Sequence, residues 1–167
     1  MAVVLAAGSS TRLGRPKQEI VFDGETLLQR AERIARSVTD EVIVVTEQLN
    51  PDAAEGIASS IRAGVRLAGD DARILIMLCD QPLITTEHLR ALLEIDAPIV
   101  ATGYARIAGA PAAFAPSLMP DLLALRGDRG ARAVIEAHRD VTVVVPFEDA
   151  AVDIDRESDV RALFKTN

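Results

Sequence analysis

Arg12, Arg15 and Lys17 crowd into one short stretch that also holds Gly8, Ser9, Ser10 and Gly14. Glycine and serine put little bulk between backbone N–H groups and an approaching anion. Arginine and lysine add charge that suits phosphate oxygens. The chain as a whole carries a formal net charge of −7, so this loop is a local exception. The combination points to a polyphosphate, most simply a nucleoside triphosphate held by Leu5, Ala6, Ala7, Gly8, Ser9, Ser10, Arg12 and Lys17. The bland alternative is a Gly/Ser turn with solvated cations.

The loop fits neither standard phosphate fingerprint. Lys17 lies between Pro16 and Gln18, not in a Gly-Lys-Ser/Thr helix start, and Gly8 and Gly14 do not give the G-x-G-x-x-G spacing. Pro16 disfavours helix at Arg15, which predicts an extended loop wrapping its ligand.

Carboxylates supply the complementary chemistry. Asp80 follows the apolar run Arg73–Leu78, and Pro82 stops the strand just beyond. A carboxylate at a strand end can bind Mg²⁺, a hard cation that takes oxygen ligands and substrate phosphates. Its commoner use is to cap a turn. Asp153 and Asp155 flank Ile154, so in a strand both point to one face, and a cation between them relieves their repulsion. The expected metal set is Asp80, Asp153 and Asp155, with Asp155 also serving as N-cap of a closing helix. Arg12, Lys17 and Asp80 are the expected catalytic residues.

Two further segments open helices. Gly56, Ser59, Ser60 and Arg62 stand where free N–H donors and hydroxyls could meet a base or ribose, with ordinary N-capping as the alternative. Gly127-Asp128-Arg129-Gly130-Ala131-Arg132 is a second Gly-rich cationic loop, suited to a second anionic ligand. His88 and His138 read as ordinary helix or surface residues, and Cys79 as a packed small residue. The lack of a general base is itself informative. Nucleotidyl transfer needs mainly positioning and charge neutralisation, and a phosphate nucleophile is already mostly ionised at neutral pH.

These groups need a frame. Ala2–Ala6, Glu41–Thr46, Arg73–Leu78 and Ile99–Ala101 read as strands. Helical patterns lie between them: a capping box at Thr26–Gln29 with Leu27, Ala31, Ile34 and Ala35 on one face, then Ala58–Leu67 and Glu87–Leu93. Such alternation predicts an α/β fold of three layers, a mostly parallel sheet with helices on both faces. Short strands and loops are expected over Gly103–Phe114 and helices over Ser117–Leu125 and Gly130–His138. Strands follow at Val141–Val145 and Ala151–Asp155, and a helix at Glu157–Lys165. Ligands of such sheets bind beyond the C-terminal strand ends, which gathers the motifs on one rim.

With 167 residues, 49% hydrophobic and 26% charged, the chain reads as one soluble globular domain. Within it, residues 1–97 read as a nucleotide-binding half and 98–167 as an acceptor-binding half. Acidity and a 3% aromatic content argue against nucleic acid and anionic membranes as partners. One cysteine, no signal peptide and no spanning apolar run point to the cytoplasm.

The stretch Leu5-Ala6-Ala7-Gly8-Ser9-Ser10-x-Arg12-x-Gly14-x-Pro16-Lys17-Gln18 resembles the signature loop of nucleotidyltransferases that build molybdenum cofactor dinucleotides. Gly56–Gly64, Leu78-Cys79-Asp80-Gln81-Pro82-Leu83, Gly109-Ala110-Pro111, Gly127–Arg132 and Val152-Asp153-Ile154-Asp155 resemble the same family in the same order, across nearly the whole chain. The resemblance is nearest to molybdenum cofactor cytidylyltransferases. It implies a Rossmann-like nucleotidyltransferase fold and Mg²⁺-dependent transfer of CMP from CTP to the phosphate of molybdenum-bound molybdopterin. It further implies an acceptor site at Gly109, Pro111, Gly127, Asp128, Gly130 and Arg132, and a molybdenum apoenzyme as possible partner. Leu5-Ala6-Ala7-Gly8 favours CTP, since guanylyl relatives usually carry Leu-Ala-Gly-Gly there. Ala110 stands where relatives often have His, and Arg156-Glu157-Ser158-Asp159 where they often have Thr-Pro-Glu-Asp. The alternatives are transfer from GTP, a sugar-phosphate acceptor, or a non-catalytic carrier handing the cofactor to an apoenzyme. The presence of both Lys17 and Asp80 weighs against the carrier.

Overall fold

The computed structural model describes residues 1–8, 13–69 and 71–163. Strand β1 (Ala2–Leu5) starts the chain, and a small hairpin, β2 (Val21–Phe22) with β3 (Glu25–Thr26), follows the first loop. Then come α1 (Leu27–Arg36), β4 (Val42–Val45), α2 (Ile57–Ala68), β5 (Ile74–Leu78) and α3 (Thr86–Glu94). The second half holds β6 (Ile99–Tyr104), β7 (Ile107–Phe114), α4 (Met119–Ala124), α5 (Arg132–Ala137), β8 (Thr142–Pro146) and α6 (Glu157–Leu163).

Six strands form one sheet in the order β4-β1-β5-β7-β6-β8. Pairings β1–β4, β1–β5 and β6–β8 are parallel, whereas β7 is antiparallel to both β5 and β6. Five strands therefore run one way and β7 alone runs back. Side chains alternate along β1 and serve two cores. Val3 and Leu5 pack with α2, α4 and α5 on one face, and Ala2 and Val4 pack with α1 and α3 on the other. The sheet is thus covered on both sides, as an α/β fold requires.

Helix α1 carries the predicted capping box: Thr26 Oγ1 accepts from the Gln29 N–H at 3.1 Å, and Gln29 Oε1 accepts from the Thr26 N–H at 2.9 Å. Its buried residues are Leu27, Ala31, Ile34 and Ala35.

The structure corrects several sequence expectations. Residues 103–114 are not short strands and loops but most of an antiparallel hairpin, in which the eight-residue β7 inserts between β5 and β6. Its small residues Ala112 and Ala113 are fully buried where neighbouring strands and helices press from both faces. The segment Ala151–Asp155 is no strand. After β8 the chain makes a short 3₁₀ turn at Glu148–Ala151, and the Ile154 N–H donates to the Asp80 carbonyl at 3.0 Å. Pro116 opens a 3₁₀ turn over Pro116–Leu118, so α4 begins only at Met119. His88 is a core residue rather than a surface one, with its ring stacked on Phe147 and its Nε2 2.8 Å from Thr102 Oγ1.

Candidate active site

β1 and β5 lie side by side with Leu5 opposite Leu78, so their C-terminal ends open at one point of the rim. Ala6–Gly8 leaves from one strand and Cys79–Asp80 from the other. Between them and the start of α2 lies a cleft of about 270 Å³, lined by Ala6, Ala7, Gly8, Lys17, Gly56, Ser60, Asp80 and Asp128 among others. Ser9, Ser10 and Arg12 lie outside the described residues.

Pro16 ends the loop, and Lys17–Glu19 then makes a single 3₁₀ turn rather than continuing extended. That turn carries the Lys17 ammonium onto the Asp80 carboxylate, with Asp155 Oδ1 at 3.2 Å on its other side. Burial of Lys17 works against its charge, but the attraction and hydrogen bonds of Asp80 and Asp155 outweigh it and hold its pKa above the ordinary value. Asp80 itself is buried, and its Oδ1 finds no hydrogen-bond partner among the described residues.

Asp153 joins this cluster electrostatically. Lost hydration, with the charges of Asp155 and Asp80, raises its pKa above the usual carboxylate range. Ile154, fully buried in a small core with Ile20, Phe22, Leu27 and Val160, anchors the segment between the two aspartates. Asp155 does not cap α6: its carboxylate is on Lys17, and Asp159 Oδ2 instead accepts from the N–H groups of Asp155 and Arg156 at 3.1 and 2.7 Å. Among the described residues no three carboxylate, His or Cys side chains form a ready-made metal cluster.

The α2 side divides the two serines. Ser59 is consumed internally, its hydroxyl donating to the Gly56 carbonyl at 2.8 Å and accepting from Asn50 Nδ2 at 2.8 Å. Ser60, also bonded to Asn50, lines the cleft. Gly56 has φ of +122°, and a Cβ there would collide with the Asp128 carboxylate and the Gly127 backbone. The Gly127 carbonyl accepts from the Ala58 N–H at 3.1 Å, and Glu55, held to a pKa of about 2 chiefly by Arg62, accepts from the Gly127 N–H. Gly127 and Asp128, expected on the acceptor side, therefore sit against the start of α2, and Asp128 borders the first cleft.

A second, more apolar cleft of about 130 Å³ adjoins the first and shares Leu5, Ile57 and Leu78 with it. Gly109, Gly130, Arg132 and Tyr104 line its other side. Pro111 is buried behind it, in a cis peptide with Ala110, and its carbonyl accepts from Thr102 Oγ1 at 2.6 Å. Gln81 ties the clefts together: its Nε2 donates to the Ala110 carbonyl at 3.1 Å and to the Ala150 carbonyl at 2.8 Å. One amide thereby fixes the Asp80 turn, the Gly109–Pro111 strand and the approach to Asp153. Gln81 and Tyr104 are not among the site residues expected from sequence; Gln81's place directly after a strand-end aspartate, within the segment Leu78–Leu83 that resembles the family, is its signal. Cys79 is no nucleophile, since burial, with Asp80 adding to it, pushes its thiol up to about 12.

Residues 2–142 match the family model of the MobA-like NTP transferase domain. The purine catabolism protein PucB of Bacillus subtilis strain 168 is 30% identical over 166 residues, covering 82% of this chain and 80% of that protein. A probable molybdenum cofactor guanylyltransferase of Peptoclostridium acidaminophilum is 31% identical over 109 residues, 56% of this chain and 48% of the relative. Among solved structures, Rv0371c of Mycobacterium tuberculosis H37Rv superposes with a TM-score of 0.84 at 27% identity, covering 98% of this chain and 97% of that one. Rv0371c is also known in complex with manganese, at a TM-score of 0.79 and 24% identity over 99% of this chain and 98% of that one. The family model covers most of the chain and the superposition covers nearly all of it, and the chain belongs to the MobA-like NTP transferase domain family, with a nucleotidyltransferase fold.

Proposed function

We propose that the protein is a metal-dependent cytidylyltransferase that moves CMP from CTP to the phosphate of molybdenum-bound molybdopterin and releases pyrophosphate. The observation that carries nucleotidyl transfer is the Lys17 ammonium seated between Asp80 and Asp155 at the mouth of the first cleft. A cation and carboxylates at one strand-end rim are what a triphosphate and its metal need.

A divalent metal fits the residues present. Asp80 offers a buried carboxylate oxygen with no hydrogen-bond partner among the described residues, and Asp153 and Asp155 crowd it with like charge. The donors are hard oxygens, and Mg²⁺ usually takes one or two carboxylates and completes its shell with phosphates and water, so a ready-made protein cage is not required. Asp80 and Asp153 would hold the ion, with Asp155 as the next ligand once Lys17 leaves it. When bound, the metal supplies charge neutralisation at the triphosphate. The manganese complex of Rv0371c supports the assignment by analogy.

The chain's own residues do the rest. Ala6, Ala7, Gly8, Gly56 and Ser60 border the space for the base and ribose. Lys17, freed from Asp155, turns to the phosphates, and Arg12 joins it from the loop. An acceptor phosphate oxygen attacks the α-phosphorus, the bond to the bridging oxygen breaks, and its electron pair leaves with pyrophosphate. No side chain need remove a proton, because the attacking phosphate is already ionised. Gly109, Pro111, Gly130 and Arg132 shape the acceptor side. A molybdenum apoenzyme receives the product, and the cytoplasm is the expected compartment. No helix among the described residues is long and apolar enough to cross a membrane.

The preference for CTP rests on Leu5-Ala6-Ala7-Gly8. Competition of CTP and GTP for the purified protein in the presence of Mg²⁺ tests it: CTP should displace labelled nucleotide at much the lower concentration. Tighter binding of GTP would overturn the cytidylyl assignment and leave nucleotidyl transfer standing, as the guanylyl relative would suggest.

A further inference from the structure

We propose that Tyr104 contacts the acceptor and determines which phosphomonoesters are taken, an inference that rests on the nucleotidyl-transfer reading above. Tyr104 ends β6 and pairs with Ile107 across a two-residue turn. Both turn residues are left-handed, Ala105 with φ of 46° and Arg106 with φ of 62°. Such turns ordinarily use Asn or Gly, and strain of this kind persists only where the surroundings enforce it. Here the Ala105 N–H donates to Glu148 Oε2 at 3.1 Å, which fastens the tip to the segment leading toward Asp153.

The turn sends the tyrosine ring back across β7 onto Gly109. A Cβ on Gly109 would lie 2.7 Å from the phenol oxygen, so the ring rests against bare backbone here and a larger residue would push it aside. The half-buried ring then walls the second cleft opposite Leu5, Ile57 and Leu78, with Arg132 at the rim. Arg132 is oriented by its bond to Glu136 at 2.7 Å. The phenol also lies within electrostatic reach of Gln81, Asp153 and Asp80. Burial raises its pKa above the ordinary value despite Gln81 and Arg132, and a protonated phenol can both donate and accept. An apolar wall ending in one phenol and one guanidinium suits a flat ring system that carries a phosphate monoester.

The chain has one tyrosine and no tryptophan, so its near-ultraviolet emission reports Tyr104 alone. The 167-residue chain, saturated with a non-transferable CTP analogue and Mg²⁺, is titrated with molybdopterin and separately with glucose 1-phosphate and flavin mononucleotide. A saturable emission change with at least one phosphomonoester is expected. Tyr104→Phe should raise the acceptor KM about tenfold while the CTP KM holds within about twofold, the scale of one lost hydrogen bond. Thermal melting checks that the variant folds; if it does not, the wild-type titration alone decides. Emission unmoved by every phosphomonoester, or unchanged acceptor KM in a folded variant, would overturn the role. Emission that saturates with another phosphomonoester while molybdopterin receives no CMP would sink the molybdopterin reading and leave Tyr104 at the acceptor site.

Discussion

The Lys17 ammonium occupies the Asp80 carboxylate that a metal would need, with Asp155 3.2 Å away on its other side. Lysine and metal therefore compete for the same carboxylates, Lys17 holding Asp80 Oδ2 beside the Oδ1 open to an ion. Lys17→Met should bind Mn²⁺ more tightly in the absence of nucleotide, as read by titration calorimetry. The same variant should lose turnover about a hundred- to a thousandfold, as expected when a donor to developing charge is removed. Weaker metal binding in this variant would mean that Lys17 does not stand in for the ion.

Gln81 is the shared fastening of two loops and a strand end. Gln81→Ala leaves the Ala110 and Ala150 carbonyls without this donor and should cost about 1–3 kcal/mol of stability by chemical denaturation. Gln81→Glu keeps the shape but loses the donors and adds charge near Asp80, so turnover should fall further than in the alanine variant. Equal activity in both variants would reduce Gln81 to packing.

Gly56 carries the start of α2 at a φ few other residues adopt, pressed against Gly127 and Asp128. Gly56→Ala should destabilise the fold by about 1–3 kcal/mol and raise the KM for CTP more than that for the acceptor. Calorimetric melting and steady-state kinetics read the two effects separately.

Alkaline pH should weaken the fold in a defined window. The Cys79 thiol is raised from 9.0 to about 12 by burial, and Lys17 is raised above 10.5 because its carboxylate partners outweigh the cost of burial. Groups raised in the folded state contribute fully below their unfolded values and lose that contribution as pH climbs through the folded ones. Stability should therefore decline from pH 9.0 upward, first through Cys79 and above 10.5 through Lys17 as well. Cys79→Ala should flatten the first part of the decline in denaturation curves recorded across this range. The native thiol should also resist alkylation at neutral pH.

The sheet and its helices were legible because burial imposes period: Ala2–Leu5 and Ile74–Leu78 are continuous apolar runs, and α1 announces itself by Thr26 and Gln29. The strand-end placement of Asp80 and the loop bearing Lys17 followed from that frame. The hairpin of β6 and β7 was hidden because its turn uses Ala105 and Arg106, which no turn rule selects. The path of Asp153–Asp155 was misread as a strand because alternation around Ile154 serves equally well to plug a small core. Ser59 looked like a ligand, yet only the fold reveals that Asn50 and the Gly56 carbonyl take up its hydroxyl. Tyr104 gave no signal, since its place depends on Gly109 lying across a strand pair.

The proposed reaction is attack at the α-phosphorus of a nucleotide held at the Lys17–Asp80 rim. Incubation of the purified protein with CTP labelled at the α-phosphate, Mg²⁺ and molybdenum-loaded molybdopterin tests it most directly. Label should pass to the acceptor with one pyrophosphate released per transfer, and Asp80→Ala should abolish the transfer while weakening CTP binding less. Release of inorganic phosphate without label transfer, or full transfer by Asp80→Ala, would contradict it.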